Sequence, residues 1–170
     1  RMVQREWRPG LMHAVIFVGF MSLLLRKLQL IAIGYDEGFV FHGMFAGPFA
    51  AFKDGIEVAV TLAVLYGLWR RLVLRPARLE SNREALWVLG LILLIMLTDF
   101  AFDALRFARL GASLPGIVHE RDFAFVGAAL AGALQGWPPE SLGSAYVVLY
   151  WTQMLVVLSF LVWLPAGEHF

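Results

Sequence analysis

The stretch TDFAFDALRFARL, residues 98–110, places four ionisable groups inside an apolar run. Asp99, Asp103 and Arg106 are spaced i, i+4, i+7, so a helix carries them on one face. Glu57 and Asp54 open another apolar run, and Arg26 and Lys27 close the first one, at the same depth. Residues of these types support two kinds of chemistry. They can neutralise one another as a salt-bridge network that holds helices together, the commoner use. They can also line a quinone pocket with a carboxylate proton path through Asp99, Asp103, Arg106 and Glu57. Quinol oxidation must hand its protons to a group able to take them.

A second candidate is the histidine of RPGLMHAVIFVGF, residues 8–20. His13 stands about one turn inside the start of a run that is otherwise apolar. It either snorkels to the interface and bonds a backbone carbonyl, or it ligates a metal or haem, since neutral imidazole is the commonest metal ligand. The other histidines are His42, His119 and His169. No pair has the tight spacing of a zinc motif such as HExxH. Histidines at the ends of different helices suit haem b, whose two axial ligands come from facing helices.

These side chains need a frame, and composition says what kind. Of 170 residues 60% are apolar, and the mean hydropathy is +0.72, against about 45–50% apolar for soluble domains. The frame is an all-α transmembrane bundle. A hydrocarbon core of about 30 Å needs about 20 apolar residues as helix. Four segments qualify, running over about 10–33, 54–74, 84–107 and 141–164. A fifth, FAFVGAALAGALQGW at 123–137, is short and rich in Gly and Ala, and reads as a half-helix or interfacial helix set off by Pro138 and Pro139. The 34–53 loop is also apolar and is expected to fold back on the bundle or lie in the interface. Gly10, Gly19, Gly47, Gly67 and Gly90 lie in or near spans, where small residues let helices approach.

The chain holds no cysteine, which excludes a disulfide framework and Cys-ligated clusters within these residues. Its net charge of +1 gives no reason to expect nucleic acid. Four spans put both ends on one side. That side holds eight basic residues, five of them arginines in the 70–83 loop, and the other holds Arg26, Lys27, Lys53, Arg106, Arg109 and Arg121. The positive-inside rule makes the 70–83 loop and both ends cytoplasmic, in a multi-pass protein of the cytoplasmic (inner) membrane. Residue 1 is Arg, so residues 1–170 read as a single membrane domain cut from a longer protein.

GLMHAVIFVGF, YGLWRRLVLRPARL, LGLILLIMLTDFAFDALRFA and LYWTQMLVVLSFLVWLPAGEHF, in that order, resemble the membrane domain of heterodisulfide-reductase-like iron–sulfur oxidoreductases. These include the membrane-bound electron-transfer-flavoprotein:quinone oxidoreductases. That domain is similar to the gamma subunit of respiratory nitrate reductase, a transmembrane cytochrome b. In the gamma subunit one helix carries two haem-ligating histidines ten residues apart. The last helix carries two more, eighteen apart, the second in a P-x-x-[RK]-x-x-H-I ending. His13 matches the first histidine of the first pair. Ten residues on stands Leu23. PAGEHF starts the ending at Pro165, with Glu168 where the motif has Arg or Lys, and puts the motif histidine directly after Phe170. Eighteen residues before that position stands Gln153.

The resemblance therefore implies one haem b rather than two. Leu23 and Gln153 take both positions of the distal pair. His13 is one axial ligand of the proximal haem, with His169 or its following neighbour as the other. The implied function is electron transfer between a quinone pool, menaquinone or ubiquinone, and 4Fe-4S clusters in a soluble part after residue 170. The resemblance also implies electron-transfer flavoprotein as a further partner. The alternative is a haem-free membrane anchor and docking platform for such an oxidoreductase.

Overall fold

The computed structural model describes residues 7–41, 45–74 and 83–166, and every regular element among them is helical. In chain order they are α1 (Trp7–Ser22), α2 (Leu24–Tyr35), α3 (Ala46–Trp69), α4 (Arg83–Leu110), α5 (Pro115–Phe123), α6 (Phe125–Ala133) and α7 (Pro139–Ala166). A π-helical turn, Arg70–Leu74, extends α3. α1 and α2 form nearly one rod: the Leu23 N–H donates to the Gly19 carbonyl at 2.9 Å, and the Lys27 N–H to the Leu23 carbonyl at 3.1 Å.

Among the described residues three stretches are long and apolar enough to cross a membrane: Gly10–Tyr35, Arg83–Leu110 and Pro139–Val162. They correspond to the first, third and fourth expected segments. The outward face suits lipid. Phe17, Trp87, Val148 and Val162 are each about two-thirds exposed or more. The remaining long helix, α3, carries Lys53, Asp54 and Glu57 near its middle. It starts at Ala46, eight residues before the expected Asp54. Gly47 and Pro48 do not prevent this, because in a first turn the missing proline N–H costs no helical bond. The earlier start places Lys53 and Asp54 inside the bundle instead of at a loop edge.

α4 packs against α7 and α6, and α3 against α1, α4 and α5. Glycines set the closest approaches. A Cβ at Gly19 would collide with Val60 Cγ2, and one at Gly67 would come within 2.8 Å of Met12 Sδ. Gly47 faces Phe123 in the same way at 2.7 Å, whereas Gly10 and Gly90 face open space. One apolar core gathers Leu23, Val60, Val64, Ile95, Met96 and Phe160. A second surrounds Leu30, Ile33, Phe102 and Tyr146.

The 108–140 region docks as two short helices. Pro115 opens α5 at its first position, where its fixed φ suits a helix start. The nine residues of α6 span only about 13 Å and cannot cross a bilayer, in keeping with the half-helix expected over 123–137. Gly136, at φ +88°, turns the chain before Pro138 and Pro139 lead into α7.

Candidate functional site

The polar residues of α2, α3, α4 and α5 converge on one buried network. Arg26 on α2 is the hub. Its Nε donates to Asp99 Oδ1 at 3.1 Å, one terminal nitrogen donates to Asp103, and the other donates to Gln29 Oε1 at 2.8 Å. Lys27 Nζ holds the second oxygen of Asp99 at 2.6 Å. Lys53 on α3 reaches Asp103 across the bundle, lies 3.0 Å from Asp54 Oδ1, and is 3.7 Å from Glu57 Oε2. Gln29 continues the chain, donating from Nε2 to Glu120 Oε1 at 3.0 Å. Glu120 on α5 takes the Arg106 guanidinium at 2.7 Å, and Arg106 also donates to the Phe39 carbonyl at 2.6 Å.

Asp54 has a further task. Its Oδ2 accepts from the backbone N–H groups of Val126, at 2.7 Å, and Gly127, at 3.3 Å. These are unpaired donors in the first turn of α6. A carboxylate borrowed from α3 therefore caps α6, where the helix dipole favours negative charge. Gly127 lets α6 sit close to α4: a Cβ there would lie 2.7 Å from the Phe107 ring. An outlying pair, Arg109 with Glu37 at 3.0 Å, is partly exposed.

Every charged member of the network except Lys27 is at least 97% buried. In a low-dielectric interior an isolated charge is prohibitively costly, so such groups must pair. Asp99, Asp103, Asp54 and Glu120 each accept hydrogen bonds. Glu57 differs: it is fully buried, and neither side-chain oxygen has a hydrogen-bond donor.

Asp99 and Asp103 thus share one face, as their spacing predicts, and Glu57 meets them from α3 at the same depth. Arg106 does so only indirectly, because it turns to Glu120 and the 36–41 connection. Glu120 and Gln29 were not singled out in the sequence. The only available signals were local ones: Glu120 follows Ile117 by three residues, and Gln29 follows Arg26 by three. Among the described residues no group of three or more His, Cys, Asp or Glu side chains is arranged to hold a metal ion.

His13 lies elsewhere. It is exposed on α1 and lines a cavity of about 230 Å³ whose other walls include Leu23, Val60, Ile95, Met96 and Phe160. The cavity therefore has one imidazole on an otherwise apolar lining, bounded by α1, α3, α4 and α7. Leu23 is packed into the apolar core beside Val60 and Phe160. Gln153 is fully buried, and its Oε1 accepts from the Thr98 hydroxyl. His119 is exposed on α5, edge-on to Phe123. His42 and His169 lie outside the described residues.

The charge network and the cavity are stacked. Arg26, Glu57 and Asp99 stand one helical turn from Leu23, Val60 and Ile95, respectively, and those three line the cavity.

No family model matches the chain, and no solved structure matches it. Two curated proteins do. The "Probable iron-sulfur-binding oxidoreductase FadF" of Bacillus subtilis is 24% identical over 172 residues, covering 97% of this chain and 23% of that protein. The EtfAB:quinone oxidoreductase of Syntrophomonas wolfei is 26% identical over 176 residues, covering 96% of this chain and 23% of that protein. This chain spans about a quarter of the length of these relatives. It is a helical membrane segment distantly related to iron–sulfur and quinone-linked oxidoreductases.

Proposed function

We propose that the chain is the membrane electron-transfer domain of a quinone-linked oxidoreductase, passing electrons between a quinone pool and iron–sulfur clusters by way of one haem b. One observation carries the reading. A single exposed imidazole, His13, borders an apolar cavity, while Leu23 and Gln153 are committed to packing and to Thr98. The donor chemistry fits one ligand to haem iron. His13 would hold the iron, with His169 or the residue after Phe170 as the second ligand. The cavity is smaller than the roughly 300–1,000 Å³ of most ligand sites. Phe17, one of the lining residues, is about two-thirds exposed and closes the cavity from the outer face of α1.

A bound haem supplies reversible one-electron transfer; the rest is the work of this chain's own side chains. Leu23, Val60 and Phe160 keep water away. Arg26, Lys53, Asp99 and Asp103 hold the helices in register, Arg106 fastens α5, and Glu57 is the carboxylate left to handle a proton. The iron–sulfur clusters belong to another part of the protein, since these residues hold no cysteine. The name of the Syntrophomonas relative supports a quinone and an electron-transfer flavoprotein as partners.

α3 is the fourth span in this reading, its charges neutralised inside the bundle. Arg26, Lys27, Lys53 and Arg106 are drawn into the network, so only Arg109 and Arg121 remain to mark that side of the membrane. The five arginines of the 70–83 loop then dominate, which supports a cytoplasmic loop with both ends on the same side of the inner membrane.

A pyridine haemochrome assay on the full-length protein tests the proposal. The expected result is one haem per chain, abolished by His13→Ala. Two haems would make another histidine a ligand. No haem in a folded preparation supplied with haem would leave the alternative, a membrane anchor and docking platform. The near-complete internal pairing of the network favours that second reading, because a platform needs nothing more.

A further inference from the structure

We infer that Glu57 carries the one exchangeable proton of the buried network. The argument is a charge count followed by elimination. Arg26, Lys27, Lys53 and Arg106 bring four positive charges. Asp54, Glu57, Asp99, Asp103 and Glu120 bring five carboxylates. The Arg109–Glu37 pair is balanced and does not alter the count. All four bases are already counted as protonated, so the cluster approaches neutrality only by placing a proton on a carboxylate. An unbalanced charge in this interior is strongly disfavoured.

Four carboxylates are poor carriers because strong donors already hold their charged form. Asp99 accepts from Arg26 and Lys27, Asp103 from Arg26 and Lys53, and Glu120 from Arg106 and Gln29. Asp54 accepts two backbone N–H groups. The start of α6 also brings about half a positive charge to Asp54, which favours its charged form and offsets only about half of the excess. Glu57 alone has no hydrogen-bond donor on either oxygen, although it is fully buried. The charges facing it are Lys53 and Asp54 on its own helix, Arg26 on α2, and Asp99 and Asp103 on α4.

Position gives this proton a use. Glu57 is the network member on α3 nearest the apolar cavity, one turn from Val60. A carboxyl group there can give its proton to the ring oxygen of a lipid-soluble quinone as the ring is reduced, and take it back as the quinol is oxidised, altering only its own 3.7 Å contact with Lys53. The location of the proton stands on the network alone; its exchange with a quinone rests on the function proposed above.

Infrared spectroscopy of the full-length protein in nanodiscs tests the assignment. A protonated carboxylic acid has a C=O stretching band that shifts in D₂O. At neutral pH the band is expected in the wild type, shifted by ¹³C-carboxyl glutamate and absent from Glu57→Gln. Glu57→Gln is also expected to keep the wild-type unfolding midpoint, since it replaces a neutral carboxylic acid by a neutral amide of the same size. Absence of the band, its insensitivity to glutamate labelling, or its survival in Glu57→Gln overturns the inference. The labelling result stands even if the variant does not fold. A protein without haem would remove the electron-transfer reading and leave this band unchanged.

Discussion

Around Leu23, Val60, Ile95 and Phe160 the helices meet through hydrocarbon, and a cavity of about 230 Å³ remains between them. One turn away, around Arg26, Lys53, Asp99 and Asp103, they meet through charges held at hydrogen-bond distance. The difference follows from the solvent. Lipid is as apolar as leucine, so hydrocarbon contact gives helices little reason to prefer each other over lipid. A charge has no such indifference, because every alternative to its partner is costly. The charged region therefore specifies which helices meet and in what register. The apolar region is free to keep a space and admit a ligand. The arrangement inverts that of a water-soluble protein: among the described residues the largest fully buried side chains are Arg26, Arg106 and Lys53, while Phe17 and Val162 face outward.

The comparison breaks most directly at Asp103, which Arg26 and Lys53 share. Asp103→Asn leaves two buried cations short of a partner and is expected to cost about 3–5 kcal/mol. A lowered unfolding midpoint in detergent checks this. A midpoint unchanged within error would mean that the charges do not specify the bundle.

A smaller effect is expected where α1 meets α3. Gly19→Ala puts a methyl into the space of Val60 Cγ2, and overpacking of this kind costs about 1–3 kcal/mol. If Gly19→Ala proved more damaging than Asp103→Asn, the apolar contact would be the specifying one.

The smallest effect on stability belongs to His13. It is exposed and outside both the core and the network, so His13→Ala is expected to stay within about 0.5 kcal/mol of the wild type. A midpoint measurement made on haem-free protein, beside the haemochrome assay, separates a ligand from a structural residue. A large loss of stability without haem would make His13 part of the fold.

Much of this was open to direct reading. Runs of apolar residues located the long helices of the first, third and fourth segments, because crossing lipid is a matter of length and hydropathy within one stretch. The i, i+4 spacing of Asp99 and Asp103 put both carboxylates on one face. Their common depth with Arg26, Lys27 and Glu57 followed from counting residues along each span.

Tertiary structure alone decided who pairs with whom. Arg106 shares a helix face with Asp103, yet it bonds Glu120, 14 residues on, in a nine-residue helix whose polar sequence PGIVHERDF reads as an outer loop. Gln29 meets the same carboxylate across 91 positions. Asp54 caps α6, 72 positions away, and Lys53 moved from a loop edge to the centre of the network once α3 began at Ala46. Periodicity and hydropathy are properties of one segment, so the sequence determined which groups each helix carries into the membrane and at what depth. Pairing energies depend on distances between segments, so only the packed bundle determined that Glu57 was left without a hydrogen-bond donor.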